Sequence, residues 1–460
     1  MKESSSHDYF SAELALPVPA AEAFAWHERP GTFERLQPPW EPLKILKKPT
    51  SLEPGNVVEL ESKLGPFPLK MRFVHGAYRQ GELFCDSQER GPFRTWRHEH
   101  RFLDRSGGSV LEDVIQYEIP GGSLGRRLAG KGIRKRIERM FAYRHAITHH
   151  DLSMANTEKI TFLITGISGL IGSAVRAYLE SQGHTVRGLS RNPQGDHQRH
   201  WDPEKGVLDK SDLEGVDVVL HLAGESIDQR WNSEAMNRIR KSRKISTRLL
   251  ADRMASLEQL PALFFSASGI NYYGDRAEGS VDESSEPGDS FLADVCREWE
   301  SATQPAEEAG IRVIHLRTGV VLDPRGGILD RLLPLFTKGL GGKVGSGKQR
   351  VSWILLEDYI AILEFLRAQT DIEGPVNVVT PHPVTNEELV KALGKVLGKP
   401  TAIPVPALAV KAALGRMGKA LALGDLAVQP QVLKDHDYSF RYPEIEPALA
   451  FILGKSLQDS

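Results

Sequence analysis

The stretch KITFLITGISGLIGSAVRAYLESQ, residues 159–182, decides the fold. Ile160 to Thr165 is an unbroken apolar run of strand length, and it enters a turn with glycine at 166, 169 and 172. A helical pattern follows from Ser173 to Gln182, with Gly183 placed to cap it. Glycine is needed three times over: for a tight turn, for close approach of backbone to a pyrophosphate, and for close packing of helix on strand. The helix start then offers unpaired N–H groups and the positive end of its dipole to an anion. Strand, turn and helix in this order predict a dinucleotide site contacted by Gly166, Ser168, Gly169, Leu170, Ile171 and Gly172.

Outward from this turn, apolar strands alternate with helical segments: Thr185 to Leu189, Asp217 to Leu222, Ala262 to Ser266 and Arg312 to Leu316. That alternation predicts an α/β, doubly wound parallel sheet of Rossmann type. The second strand runs into Ser190 and Arg191, where an NAD site would place an acid for the ribose hydroxyls. Arg191 can instead pair with a 2′-phosphate, which favours NADP; the alternative is a solvated surface arginine. Leu222, Ala223 and Gly224 close the next strand and are expected beneath the cofactor, with Ser266 and Ala267 beside them.

Residues 10–151 read differently. Short alternating stretches, Lys70 to Tyr78, Thr95 to Leu103 and Ser109 to Ile119, predict antiparallel strands. Trp96, His98, His100 and Phe102 share one face, so the inner face carries polar groups. Ser123 to His145 predicts one long amphipathic helix rich in arginine and lysine. Stretches such as GPFRTWRHEHRF and MFAYRH, with this element order, resemble the START-like, polyketide-cyclase-like (SRPBCC) superfamily, whose α+β helix-grip fold implies a small apolar ligand; a filled core is the alternative. Expected boundaries are 1–152 for this ligand-binding domain, 153–158 for a linker, 159–400 for the NADP-binding domain and 401–460 for a small helical C-terminal subdomain.

Composition sets limits. The 460 residues are 40% hydrophobic and 26% charged, with 58 Lys and Arg against 60 Asp and Glu. A net charge of −2 offers no whole-molecule field for nucleic acid or an anionic membrane. Cys85 and Cys296 are the only cysteines, which excludes a disulfide framework. The N-terminus lacks the apolar core of a signal peptide, and no apolar run is long enough to span a bilayer, so a cytoplasmic protein without stable membrane insertion is expected. No metal site is expected: His145 and His149, four apart, lack a placed carboxylate partner.

The motifs TGISGLIGSAV, HLAGESI, SASGINYYGD, LRTGVVL and GSGKQRVSWI resemble the extended short-chain dehydrogenase/reductase superfamily, in its epimerase-like branch. The tail, with PVPALAVKAALG and RYPEIEPAL, is similar to the small domain that accompanies this branch. The resemblance implies bound nicotinamide dinucleotide and a small-molecule substrate, carbonyl or nucleotide-sugar-like. It also implies a Tyr-x-x-x-Lys pair, whose positions here hold Phe291 and Val295. Neither side chain can hold a proton. Ser268 (or Ser266), Tyr272 and Tyr273 are the remaining candidates for catalysis; a tyrosine packed with its hydroxyl tied internally is the alternative. Arg243 stands where the superfamily has a helix asparagine. Lys343 and Lys348, in the glycine-dense loop 339–349, and the basic run Arg240 to Lys244 suit a phosphate-bearing substrate, or are surface charges. Loss of the dyad leaves two readings open: an NADP-dependent oxidoreductase or epimerase-like enzyme, and a catalytically inactive NADP-binding sensor or carrier.

Overall fold

The computed structural model describes residues 8–64, 67–154 and 158–455. The first seven residues and linker residues 155–157 lie outside the described residues. The chain divides into two compact units, one made of residues 1–159 together with Ala177–Gly183, the other of Ile160–Arg176 and residues 184–460.

In the first unit, β1 (Asp8–Leu16) is followed by helices α1 (Ala20–Glu28) and α2 (Thr32–Arg35). Six strands come next: β2 (Lys44–Lys47), β3 (Val57–Leu64), β4 (Phe67–Arg79), β5 (Leu83–Arg90), β6 (Thr95–Arg105) and β7 (Gly108–Glu118). They form one antiparallel sheet of order β1-β7-β6-β5-β4-β3-β2, with β1 returning to pair Asp8 with Tyr117 and Leu16 with Ser109. Helix α3 (Gly122–Ser153) is the expected long helix, extended by eight residues beyond the predicted end at His145 because Ile147, Thr148, Asp151 and Leu152 continue a buried face. Its Ile137 and Phe141 pack on Phe10, Ile115 and Tyr117. A second apolar cluster gathers Phe24 and Trp26 of α1 with Phe84, Phe102 and Leu111 of the sheet. Each large side chain buried there contributes roughly 1.5–3 kcal/mol.

The second unit begins with β8 (Thr161–Thr165), α4 (Leu170–Ser181), β9 (Thr185–Ser190), β10 (Gln198–His200), β11 (Val218–His221), α5 (Ser233–Ala255), β12 (Leu263–Gly269), α6 (Phe291–Ser301) and β13 (Arg312–Thr318). With the strand Gly374–Val378 these build a wholly parallel sheet of order β10-β9-β8-β11-β12-β13-(374–378). The inner strands β8, β11 and β12 are near-continuous apolar runs, as befits strands buried on both faces of a parallel sheet. Sequence order reverses between β8 and β11, which makes their carboxyl ends the switch-point crevice where such sheets bind ligands.

The C-terminal segment is stitched to the rest of this unit by hydrogen bonds. Ser352 Oγ donates to Leu426 O (2.9 Å) and accepts from Val428 N (2.8 Å), and Arg350 Nε donates to Asp425 Oδ1 (2.7 Å). The helix Ala407–Ala422 breaks at Gly415, whose φ of 57° and ψ of −134° lie outside the helical range. Among the described residues no helix is long and apolar enough to cross a membrane.

Candidate functional site

The turn after β8 sits at the switch point. Gly166 has φ +68°, and a Cβ there would lie 3.0 Å from the Leu222 carbonyl carbon. At Gly172 a Cβ would lie 2.3 Å from Gly166 O and 2.9 Å from Ile167 Cα. Gly169 N donates to Gly166 O (2.9 Å), closing the turn. Helix α4 then opens at Leu170 and Ile171, first-turn positions whose N–H groups have no preceding helical carbonyl. Ser168 and Gly169 are exposed.

Thr165 ties this turn to the next strand. Its Oγ1 accepts from the N–H of Leu222 and of Ala223, both at 3.1 Å. With both lone pairs so used, its proton goes to His221 Nδ1 (2.6 Å), and His221 Nε2–H then faces Ser246 Oγ (3.0 Å). Burial, with a lesser contribution from the positive charge of Arg243, lowers the His221 pKa to about 3. The imidazole is a neutral strut beneath the crevice. Gly224 is exposed, and a Cβ on it would meet the Arg243 guanidinium at 3.2 Å. That guanidinium donates to Glu225 O (2.9 Å) and Ile239 O (3.1 Å) and lies 4.9 Å from the Trp299 ring centroid.

At the end of β9, Ser190 Oγ accepts from Asn192 N (3.2 Å), and Arg191 is exposed. Arg191 and Asn192 follow this strand, so no carboxylate stands at its tip.

The catalytic candidates fall on one network. Ser268, at the end of β12, donates to Glu300 Oε1 (2.7 Å). Glu300 also receives both arms of the Arg317 guanidinium, at 2.9 and 2.8 Å. The remaining Arg317 nitrogen donates to Tyr273 OH (2.9 Å), which itself donates to Asn377 Oδ1 (2.7 Å). Tyr273 is wholly buried, and burial pushes its phenol up to about 12 despite Arg317. The Arg317 guanidinium lies 3.5 Å from the centroid of the Tyr272 ring, a cation–π contact. Tyr272 is part-exposed, and among the described residues its hydroxyl has no hydrogen-bond partner. Ser266 is fully buried, with its Oγ lacking a hydrogen-bond partner, and Ala267 is half-buried. Glu300, Arg317 and Asn377 were not singled out as site residues. They come from three elements, and only the LRTG run around Arg317 gave a signal, as a motif without an assigned role.

The dyad positions are apolar in their surroundings as well as their identity. Val295 is buried with Trp231, Ile239, Leu292 and Met417, and Phe291 packs against the same cluster. Asp294, beside the vacant lysine position, pairs with Arg297. Cys296 is buried, which pushes its thiol up to about 11. The glycine-dense loop is a packing device: a Cβ at Gly342 would lie 1.7 Å from Ile403 O, and Lys343 pairs with Glu387 at 3.0 Å. Lys348 remains exposed. Asp358 caps backbone, accepting from the N–H of Arg441 and of Tyr442 at 3.0 Å each, which agrees with a structural role.

Comparison with known proteins bears on this geometry. Residues 162–378 match the model of the NAD dependent epimerase/dehydratase family. An epimerase family protein of Mycobacterium bovis is 42% identical over 291 residues, covering 63% of this chain and 96% of that protein. The chain belongs to the NAD-dependent epimerase/dehydratase family. Residues 16–142 of this epimerase-family chain match the polyketide cyclase / dehydrase and lipid transport model, and residues 405–452 match the domain of unknown function DUF1731. A crystal structure of a nucleoside-diphosphate sugar epimerase from Corynebacterium glutamicum is 33% identical, with a TM-score of 0.80 over 98% of this chain and 91% of that one. The human epimerase family protein SDR39U1, solved with NADPH, is 32% identical, with a TM-score of 0.59 over 64% of this chain and 99% of that one. All three family resemblances read from the sequence are therefore matched.

Proposed function

We propose that the chain binds NADP in the switch-point crevice and acts as an epimerase-like oxidoreductase on a carbonyl or nucleotide-sugar-like substrate without the Tyr-x-x-x-Lys pair. The observation that carries this reading is the glycine turn, in which Gly172 can bear no Cβ, combined with Arg191 and no acid at the tip of β9. The residues fit the group. Gly166, Ser168, Gly169, Leu170, Ile171 and Gly172 would hold the pyrophosphate, and Ser190 and Arg191 the 2′-phosphate. Leu222, Ala223, Gly224, Ser266 and Ala267 would line the floor. The NADPH in the human relative supports the choice of nucleotide. When bound, the nicotinamide supplies a hydride donor or acceptor. Ser268, held by Glu300, would orient a substrate oxygen, and Tyr272 is the phenol left uncommitted beside Arg317. The proposed domain boundaries remain 1–152, 159–400 and 401–460, with a small-molecule ligand in the first.

A second reading has its own observation. Phe291 and Val295 sit in an apolar cluster with Met417, which favours a sensor or carrier that has given up proton transfer. NADPH should quench intrinsic fluorescence at micromolar concentration, and Arg191→Ala should weaken NADPH at least tenfold while leaving NADH unchanged; equal weakening of both nucleotides sinks the 2′-phosphate assignment. Turnover of a carbonyl panel that Tyr272→Phe abolishes supports the enzyme. Absence of turnover in the wild type, with turnover created by Phe291→Tyr plus Val295→Lys, supports the sensor.

A further inference from the structure

The interior of the first unit holds a set of groups that a lipid-like ligand does not explain. Strand register puts His75 of β4 opposite Asp86 of β5, and Asp86 opposite His98 of β6; in the next row His100 of β6 stands opposite Asp113 of β7. Side chains of neighbouring rows on one sheet face converge. Asp86, His98 and His100 each offer one ligand atom, and those atoms lie within 4.8 Å of one another. His98 Nδ1 is 3.4 Å from Asp86 Oδ2, longer than an ordinary N–H···O bond. It equals the edge of a tetrahedron with bonds of about 2.1 Å, the usual zinc–nitrogen and zinc–oxygen length. The buried Nδ1 of His100 lies 2.7 Å from Asp113 Oδ1, which places this carboxylate against a second ring of the cluster. His98 turns its other nitrogen, Nε2, to Asp113 Oδ1 (3.1 Å), and His145 of α3 donates Nε2–H to Asp113 Oδ2 (2.6 Å). A carboxylate on the far nitrogen of a ligating histidine is the support such sites use.

We propose that Asp86, His98 and His100 form a binding site for one divalent transition-metal ion, zinc-like in its preference for nitrogen and oxygen, with Asp113 as fourth ligand or orienting carboxylate. Ring packing fixes the ligands: Phe84 stacks on His100 with centroids 4.1 Å apart, and Phe141 meets His98 edge-on at 5.2 Å. The open coordination positions would face whatever small molecule enters this domain. This site is independent of the dinucleotide crevice, so either can fail without the other.

The test is titration of the chelator-treated full chain with Co2+. One Co2+ per chain, with visible d–d bands of a four- or five-coordinate nitrogen/oxygen site and displacement by Zn2+, is the expected result. Asp86→Asn and His100→Gln should each weaken Co2+ at least tenfold, whereas His149→Gln, exposed on α3, should change nothing. Asp113→Asn should weaken binding 10- to 100-fold and keep the bands. Absence of d–d bands in the wild type, or bands that survive in both Asp86→Asn and His100→Gln, overturns the site. Should those variants fail to fold, X-ray absorption on the wild-type Co2+ protein decides: a shell with two imidazoles upholds the site and one without overturns it.

Discussion

Replacing Gly172 with alanine tests the dinucleotide turn at its tightest point. The added Cβ would lie 2.3 Å from Gly166 O, 2.9 Å from Ile167 Cα and 3.0 Å from Gly166 C. All three are backbone atoms, so no rotamer change relieves the contact. An ordinary contact begins near 3.4 Å, so the turn must open by about 1 Å. Overpacking of this kind costs roughly 1–3 kcal/mol of stability. The same displacement takes one or two turn amides out of reach of a pyrophosphate, and charge-assisted hydrogen bonds contribute roughly 1.5–3 kcal/mol each, so NADPH affinity should fall at least tenfold. Urea denaturation measures the first effect and fluorescence titration the second. Gly132→Ala is the control: Gly132 lies within α3, a Cβ there meets nothing within 4 Å, and the change should stabilise by up to ~1 kcal/mol. Wild-type stability and wild-type NADPH affinity in Gly172→Ala would refute the reasoning.

Two further outcomes are expected. Glu300→Gln leaves the Arg317 guanidinium, 4% exposed, without its counter-charge, and should cost about 3–5 kcal/mol in urea denaturation; Glu300→Gln with Arg317→Met should recover part of that loss, and a single variant as stable as wild type would remove the pair from the account. His221 is held at a pKa of about 3 by burial, against 6.5 when unfolded, so between these values the unfolded chain binds the extra proton and stability falls as the solution is acidified. By pH 5 this one group should cost the second unit about 2 kcal/mol relative to neutral pH, and His221→Asn should flatten the slope by that amount; an unchanged slope would place the acid sensitivity elsewhere.

Much of this was legible in the sequence where information is local. The turn at Gly166 announces itself because three glycines serve one backbone geometry, and the strands around it are apolar runs bounded by turns. The edge strand Gln198–His200 escaped because it is short and polar, and Gly374–Val378 because Gly374 and Pro375 read as turn. Long-range pairs left no trace: Ser268, Glu300 and Arg317 meet across 32 and 17 positions. The polar inner face of β6 was visible in the alternation of His98 and His100. Their convergence with Asp86 and Asp113 depended on register between strands, which periodicity within a strand does not specify. The absence of the Tyr-x-x-x-Lys pair was plain; that an apolar cluster including Met417 replaces its surroundings was not.

The central claim is that backbone amides of the turn after β8 hold a pyrophosphate whose adenosine end is chosen by Arg191. Isothermal calorimetry of the full chain with NADPH and with NADH tests it most directly. One-to-one binding of NADPH at micromolar affinity, with NADH at least tenfold weaker, is the predicted result. No heat with either nucleotide, or a preference for NADH, would contradict it.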